Sequence, residues 1–259
     1  MKILVCVKQV PDMAARFQPN ASGTWYGETD LVFRVNEYDE HAVEQGLLVK
    51  EQLGGAPEVT VLSIGPARVG EAIRKALAMG CDRGVHVQDD RAAERDPWQV
   101  ASVIARFARG QGFDLVLTGM QSQDRASAQV GPFVAELLGV ACATTAVGFA
   151  LEGGAVTVRR ELEGGARAAV RVELPAVVTC QLGLNAPRYP TLPGIMKAKK
   201  KPLECVPVSG LLDEEVRAAS ARFCEPRRRA AGQVLEGAVE EVAERLASIL
   251  KERAAVARS

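Results

Sequence analysis

Few residues of this chain could do chemistry, and those few are poorly disposed for catalysis. The two histidines, His41 and His86, fall in the first amphipathic segment and in a short apolar run, away from the loops above a sheet where catalytic groups gather. Cys6, Cys81, Cys142, Cys180, Cys205 and Cys224 stand singly, with no C-x-x-C pair. That spacing supports neither a zinc set nor a disulfide framework. No G-x-G-x-x-G follows the first strand, and G-x-x-x-x-G-K-[ST] and G-x-S-x-G are absent, so the common phosphate cradles and the serine-hydrolase elbow are missing. What remains is the run Thr118 to Pro132, T-G-M-Q-S-Q-D-R-A-S-A-Q-V-G-P. Gly119 permits close backbone approach behind an apolar run, and small polar residues then lead into a helix near Val130. The free N–H groups at such a helix start can receive a phosphate, and Arg125 and Ser127 add donors. On pattern alone the run is either a nucleotide site or a plain solvated connection.

A site of that kind needs elements to position it. Ile3 to Val7, Val59 to Ile64, Val85 to Val87 and Leu115 to Leu117 are short aliphatic runs, as expected of strands buried on both faces. Amphipathic segments lie between them. Ala42, Val43, Leu47 and Leu53 form one stripe, stopped by Gly54-Gly55, and Val69, Ile73, Ala76 and Leu77 form the next, with Gly80 at its C′ position. Asp96-Pro97 is an N-cap followed by an N1 proline, leading into Val100, Val103, Ile104 and Phe107. A fourth helix carries Val130, Val134, Leu137 and Leu138 and ends at Gly139. This alternation predicts an α/β fold: an open, mainly parallel sheet with helices on both faces. Glu152-Gly153-Gly154 and Glu163-Gly164-Gly165 then read as turns joining antiparallel strands near 145–151, 156–162 and 168–174. Ala176 to Cys180 returns to buried-strand character.

From about Asn185, Pro187, Pro190, Pro193, Pro202 and Pro207 interrupt any periodicity until a helical stripe over 234–250 (Val239, Val242, Leu246, Ile249, Leu250). The expected division is an α/β nucleotide-binding domain over 1–185 and a loop and arm with a helix over 186–259. In an open parallel sheet, ligands bind at the carboxyl ends of strands. Residues 6–12, 35–38, 63–66 and 118–132 should therefore meet.

The 32 basic and 32 acidic residues cancel, so no global field favours nucleic acid or an anionic membrane. Basic runs occur locally at Lys197, Lys199, Lys200 and Lys201 and at Arg227, Arg228 and Arg229. The amino terminus returns to charge at Lys8, too soon for a signal-peptide core, and no stretch is long enough to span a bilayer. The scattered cysteines, fitting neither a metal set nor disulfides, point to a reducing cytoplasm.

Two longer stretches carry a family resemblance. Leu174-Pro175-Ala176-Val177-Val178-Thr179, and Leu184-Asn185-Ala186-Pro187-Arg188-Tyr189-Pro190-Thr191-Leu192-Pro193-Gly194-Ile195-Met196-Lys197-Ala198-Lys199-Lys200-Lys201-Pro202, resemble the electron-transfer flavoprotein beta subunit. Lys8-Gln9-Val10-Pro11-Asp12, Ala76-Leu77-Ala78-Met79-Gly80-Cys81-Asp82-Arg83 and the Gly119–Pro132 run resemble the same family. The resemblance implies an adenine-nucleotide alpha-hydrolase-like fold and a heterodimer with a larger alpha subunit, which holds the redox-active FAD at the interface. It implies an electron carrier with no bond-making catalysis of its own. Such a carrier takes electrons from acyl-CoA dehydrogenase-type donors of fatty acid oxidation and passes them to a quinone oxidoreductase.

In this subunit the family buries AMP, or a second FAD in electron-bifurcating members. Carried over by motif, the cofactor contacts fall on Cys6, Asn36, Ile64, Gly119, Met120, Gln121, Ser122, Gln123, Asp124, Arg125, Ala126, Ser127, Ala128, Gln129 and Val130, with Tyr38 near the partner's flavin. Leu192, Pro193, Ile195 and Met196 resemble the family's recognition loop for the dehydrogenase, and the lysine run implies steering of acidic partners or methylation. Bifurcating members resemble Asp-Gly-Asp-Thr-Ala-Gln-Val-Gly-Pro where this chain has Asp124-Arg125-Ala126-Ser127-Ala128-Gln129-Val130-Gly131-Pro132. A bulky cation replaces a glycine there, which favours AMP over FAD. Two other classes use related sheets: a stand-alone adenine-nucleotide sensor of the universal-stress type, and a nucleotide-hydrolysing enzyme. The hairpins and long arm speak against the first, the missing phosphate fingerprints against the second.

Overall fold

A computed structural model describes residues 1–213, 215–224 and 232–256; the Arg227, Arg228 and Arg229 run lies outside them. The chain divides into two compact units, Met1–Arg222 and Phe223–Ser259. In the first, β1 (Lys2–Cys6) leads to the short antiparallel pair β2 (Gln9–Pro11) and β3 (Phe33–Val35). Next come α1 (Glu37–Gln52), β4 (Glu58–Gly65), α2 (Gly70–Met79), β5 (Arg83–Gln88), α3 (Pro97–Ala108), β6 (Leu115–Gly119) and α4 (Val130–Leu138). β7 (Ala141–Glu152), β8 (Ala155–Glu161), β9 (Arg167–Glu173), β10 (Ala176–Cys180), α5 (Leu192–Ala198) and β11 (Leu203–Pro207) complete it. The second unit contributes α6 (Val239–Val256).

The main sheet has nine strands in the order β11-β5-β4-β1-β6-β10-β7-β8-β9. Every pairing from β11 through β7 is parallel, and β8 and β9 add antiparallel. The unbroken apolar runs follow from burial on both faces. Ile3, Val5, Val59, Val61, Leu115 and Leu117 pack with Val43 and Leu47 of α1 and Ile73 and Leu77 of α2. Their neighbours Leu4, Leu62, Val85 and Val116 face Val103, Ile104 and Phe107 of α3 and Val134 of α4. Fully buried side chains of this size each contribute roughly 1.5–3 kcal/mol. α3 starts as expected, and more firmly than expected. The Asp96 carboxylate accepts from Gln99 N at 2.8 Å while the Gln99 side chain accepts from Asp96 N, a complete capping box beside Pro97. At the β7–β8 hairpin, Gly153 and Gly154 both take positive φ (58° and 80°), the requirement of the tight turn that matches strand twist.

Three expectations need correction. β7 begins at Ala141 rather than near Thr145, because its first half pairs in parallel with β10 before its second half turns to β8 across an irregularity at 146–148. The boundary near Asn185 falls inside the first unit: β11 pairs in parallel with β5, and Gly84 N donates to Pro202 O at 2.9 Å beside it. An edge strand tolerates Pro202 and Pro207 because it needs only one row of ladder bonds; those same prolines disguise it as loop. Finally, the last helix starts at Val239, leaving Val234 ahead of it. Val239, Leu246 and Leu250 of α6 are exposed.

Candidate functional site

The strand order runs outward from β1 to β4 on one side and resumes with β6 on the other. Connections thus leave in opposite directions above β1, opening a crevice at the carboxyl ends. A cavity of about 790 Å³ lies there, lined by Cys6 at the end of β1 and Val7 after it, Leu62 and Ile64 of β4, and Thr118 and Gly119 of β6.

Asn36 is fully buried immediately before α1. Its side chain makes no helix cap. Instead Nδ2 donates to Gln121 O at 2.9 Å and Oδ1 accepts from Gln123 N at 3.0 Å, pinning the start of the 119–130 loop to the start of α1. One turn on, Asp39 accepts from Lys8 N at 2.7 Å and Gly119 N at 3.0 Å. It therefore ties the ends of β1 and β6 together, a role with no sequence signature beyond a helix-start acid. Gly119 is required by this closeness: a Cβ there would stand 2.2 Å from Asp39 Oδ1 and 2.7 Å from Tyr38 Cβ.

Burial pushes the Asp39 carboxyl up to about 7, against the opposing hydrogen bonds from Lys8, Asn36 and Gly119. A carboxyl so raised holds its proton more tightly in the folded chain than in the unfolded one. Its stabilisation is complete below the ordinary value of 3.8 and is lost as pH rises to about 7. Asp39→Asn should remove this slope, at most about 1.4 kcal/mol per pH unit. Urea unfolding between pH 4 and 7 measures it, and a variant slope equal to wild type rejects the assignment.

Beyond Gly119 the loop turns inward. Asp124, almost wholly buried, pairs with Lys8 Nζ at 2.6 Å and accepts from the Tyr26 hydroxyl at 3.3 Å. Ala126 and Ala128 take positive φ (50° and 53°), a conformation that costs a non-glycine residue about 1–2 kcal/mol. Right-handed Gln129 follows immediately before α4. A left-handed residue followed by a right-handed one is the backbone pattern that can turn successive N–H groups to one side, a concavity suited to an anion at a helix start. An adenine mononucleotide fits this donor set: a phosphate at the loop, and an apolar wall of Ile64, Val100 and Ile104 for a base. Arg125 spans the site differently. It donates to Ala93 O, and its guanidinium sits 4.3 Å over the Trp25 ring.

Of the residues expected here, Cys6, Asn36, Ile64, Gly119, Met120, Gln121, Ser122, Asp124, Arg125, Ser127, Ala128, Gln129 and Val130 line the cavity. Tyr38, Gln123 and Ala126 stand behind it: Gln123 is held through its backbone by Asn36, and the Tyr38 hydroxyl accepts from Gln121 Nε2 at 3.2 Å. The structure adds Trp25, Tyr26, Arg68, Arg95 and the 216–220 segment to the lining. The adjacent aromatics Trp25-Tyr26 in an Asn-, Ser- and Gly-containing turn were the available signal. Asn20 Oδ1 accepts from Thr24 N and Trp25 N there, setting both rings.

The other chemical candidates are structural. His86 Nε2 meets Gly65 O at 2.8 Å in the interior, and His41 Nδ1 meets Asn185 Oδ1 at 3.0 Å. Burial, aided by Asp39, pushes the Cys6 thiol far up, which removes it as a nucleophile. Among the described residues no cluster of metal-ligating side chains occurs and no helix is long and apolar enough to cross a membrane.

Away from the cavity, Leu192 opens α5 at 80% exposure, with Met196 at 63% and Ile195 at 42%. Thr191 caps the helix by accepting from Gly194 N at 3.1 Å, and Pro193 stiffens its first turn. The lysine run divides: Lys197, Lys199 and Lys200 are exposed, while Lys201 Nζ donates to Leu77 O and Cys81 O at the end of α2.

Comparison with known proteins agrees with this architecture. Residues 24–211 match the family model of the electron transfer flavoprotein domain. The chain is similar to electron transfer flavoprotein subunit beta of Bradyrhizobium diazoefficiens, 40% identical with 99% of this chain and 100% of the relative covered. The subunits of Bacillus subtilis (40% identical, 86% and 87% covered) and Homo sapiens (41%, 91% and 93%) are similar as well. Identity at this level over nearly the whole length, on a sheet whose crevice is built as described, means that the chain belongs to the electron transfer flavoprotein beta-subunit family.

Proposed function

We propose that this chain holds AMP in the β1–β4–β6 crevice and serves, in a heterodimer with an alpha subunit, as the docking half of an electron carrier. The observation that carries the nucleotide reading is the 119–130 loop. It holds strained backbone at Ala126 and Ala128 beside the cavity, at a helix start, and strain of this sort clusters where a ligand uses it. The backbone N–H groups near Val130 and the Ser127 hydroxyl would bind the phosphate, while Ile64, Val100 and Ile104 would exclude water from the base. FAD, held mainly by the alpha subunit at the interface, supplies the redox chemistry when bound. Tyr38, at the start of α1 with its hydroxyl held by Gln121, would form part of the wall toward it.

The chain itself would perform no bond-making step. Electrons would come from acyl-CoA dehydrogenase-type donors and leave to a quinone oxidoreductase. Leu192, Pro193, Ile195 and Met196 would form the donor's contact, since an exposed apolar group on a rigid short helix suits a transient anchor. The exposed face of α6, in the arm, would lie on the alpha subunit. Free thiols at all six cysteines suit a cytoplasmic setting.

The size of the cavity favours one second reading. About 790 Å³ is ample for a mononucleotide, so a second FAD, as in bifurcating relatives, is the alternative occupant. Denaturing the purified heterodimer and separating its nucleotides tests both. One AMP and one FAD per heterodimer are expected; two FAD and no AMP would replace the first reading with the second.

A further inference from the structure

Two parts of the cavity's lining are tethered to one connection. β5 and β6 are separated in the sheet by β4 and β1, which places their ends about 14 Å apart at ordinary strand spacing. Yet Arg125, in the loop after β6, donates to Ala93 O in the connection after β5, so the loop, which Asp124 already ties to Lys8 after β1, and the Arg125 side chain together bridge the two connections. Trp25 supports the crossing. Its ring lies 4.3 Å beneath the guanidinium and packs on Tyr26 at 4.8 Å, and the Tyr26 hydroxyl donates to Asp124.

A second strip lines the cavity beside it. Residues 216 and 218–220 line it, and Arg217 N and Ala218 N both donate to Asp96 Oδ2, at 2.6 and 2.9 Å. The Arg217 guanidinium stacks 3.5 Å over Trp98. The connection that receives both tethers is itself braced, because the buried Asp89 carboxylate pairs with Arg95 at 2.8 Å and accepts from Arg91 N at 3.0 Å.

We propose that the Arg125–Trp25 crossing and the Asp96-tethered strip at 216–220 together determine how long a nucleoside phosphate stays in the crevice, making it a retained ligand that does not exchange with the free pool. This rests on the nucleotide reading above. A ligand cannot leave until a charge-assisted hydrogen bond and a cation–π contact are broken on one side, or two hydrogen bonds to a buried carboxylate on the other. Trp25 and Arg217 are then positioning residues for the bound nucleotide, and Arg125 acts as a bar rather than as a phosphate ligand alone.

The test measures release of bound nucleotide from the intact heterodimer on transfer into radiolabelled AMP. Three variants, with Arg217→Ala as a control, are compared with wild type: Trp25→Leu, which removes the stack; Arg125→Met, which removes the crossing; and Arg217→Pro, which removes one of the strip's two N–H donors to Asp96 without touching the cap of α3. Release at least about tenfold faster is expected in each, with Arg217→Ala, which keeps the N–H, smaller in effect. Release within twofold of wild type in all three overturns the proposal. So does acceleration confined to Arg125→Met, because that is the pattern of a phosphate ligand. Should Arg217→Pro fail to fold, Ala218→Pro, which removes the other N–H donor to Asp96, takes its place under the same criterion. A wild-type heterodimer that yields no nucleotide on denaturation refutes the nucleotide reading itself, a result distinct from nucleotide held but released at unchanged rates.

Discussion

Gly119→Ala is expected to destabilise the protein by about 1–3 kcal/mol and to empty the crevice of nucleotide. The added methyl would stand 2.2 Å from Asp39 Oδ1 and 3.0 Å from the Tyr38 carbonyl carbon, and neither neighbour can step aside. The carboxylate oxygen is held there by the Gly119 N–H itself, and the other atom is backbone in the first turn of α1. The chain must separate the end of β6 from the start of α1. That separation also pulls on Asn36, whose two bonds to Gln121 and Gln123 shape the loop. Urea denaturation reports the first effect and nucleotide content of the purified heterodimer the second. Wild-type stability with full nucleotide content would show that the contact at Gly119 relaxes freely.

Leu192→Ala should lower kcat/KM for electron acceptance from an acyl-CoA dehydrogenase by about 30-fold, the loss of roughly 2 kcal/mol typical of an apolar anchor. The expectation starts from exposure: Leu192 at 80%, Met196 at 63% and Tyr189 at 91% are large side chains, close in sequence, that the fold leaves exposed. Thr191 caps α5 and Pro193 fixes φ in its first turn, so less ordering is needed on contact. Nucleotide content, unfolding midpoint and chemical reduction of the flavin should stay at wild-type values, because Leu192 stands apart from the cavity lining. Stopped-flow reduction by the dehydrogenase separates these effects. Unchanged kinetics with that donor would place the docking surface elsewhere.

The parallel sheet was legible because burial on both faces leaves an unmistakable mark: runs such as Ile3 to Val7 alternate with helices whose caps, Asp96-Pro97 and Gly139, are local chemistry. The cavity's floor was legible for the same reason, since strand ends in such a sheet must converge. β11 was not. Its place depends on the unpaired edge of β5, more than a hundred residues earlier, and its flanking prolines imitate a loop. Lys201 likewise reads as one more surface lysine until the end of α2 is beside it.

The 118–132 run shows where local information ends. Its composition and order, by themselves, marked a turn from strand to helix that could face an anion, and resemblance supplied the family. Sequence alone did not set what each residue would do. Asp39 became a clamp because folding brings β1 and β6 to either side of one carboxylate. Arg125 became a crossing bar because Ala93 and Trp25 arrive within its reach. Caps, turns and two-faced strands follow from interactions over a few residues and can be read along the chain. Clamps and bars depend on distances between segments far apart in sequence, which exist only once the core has closed.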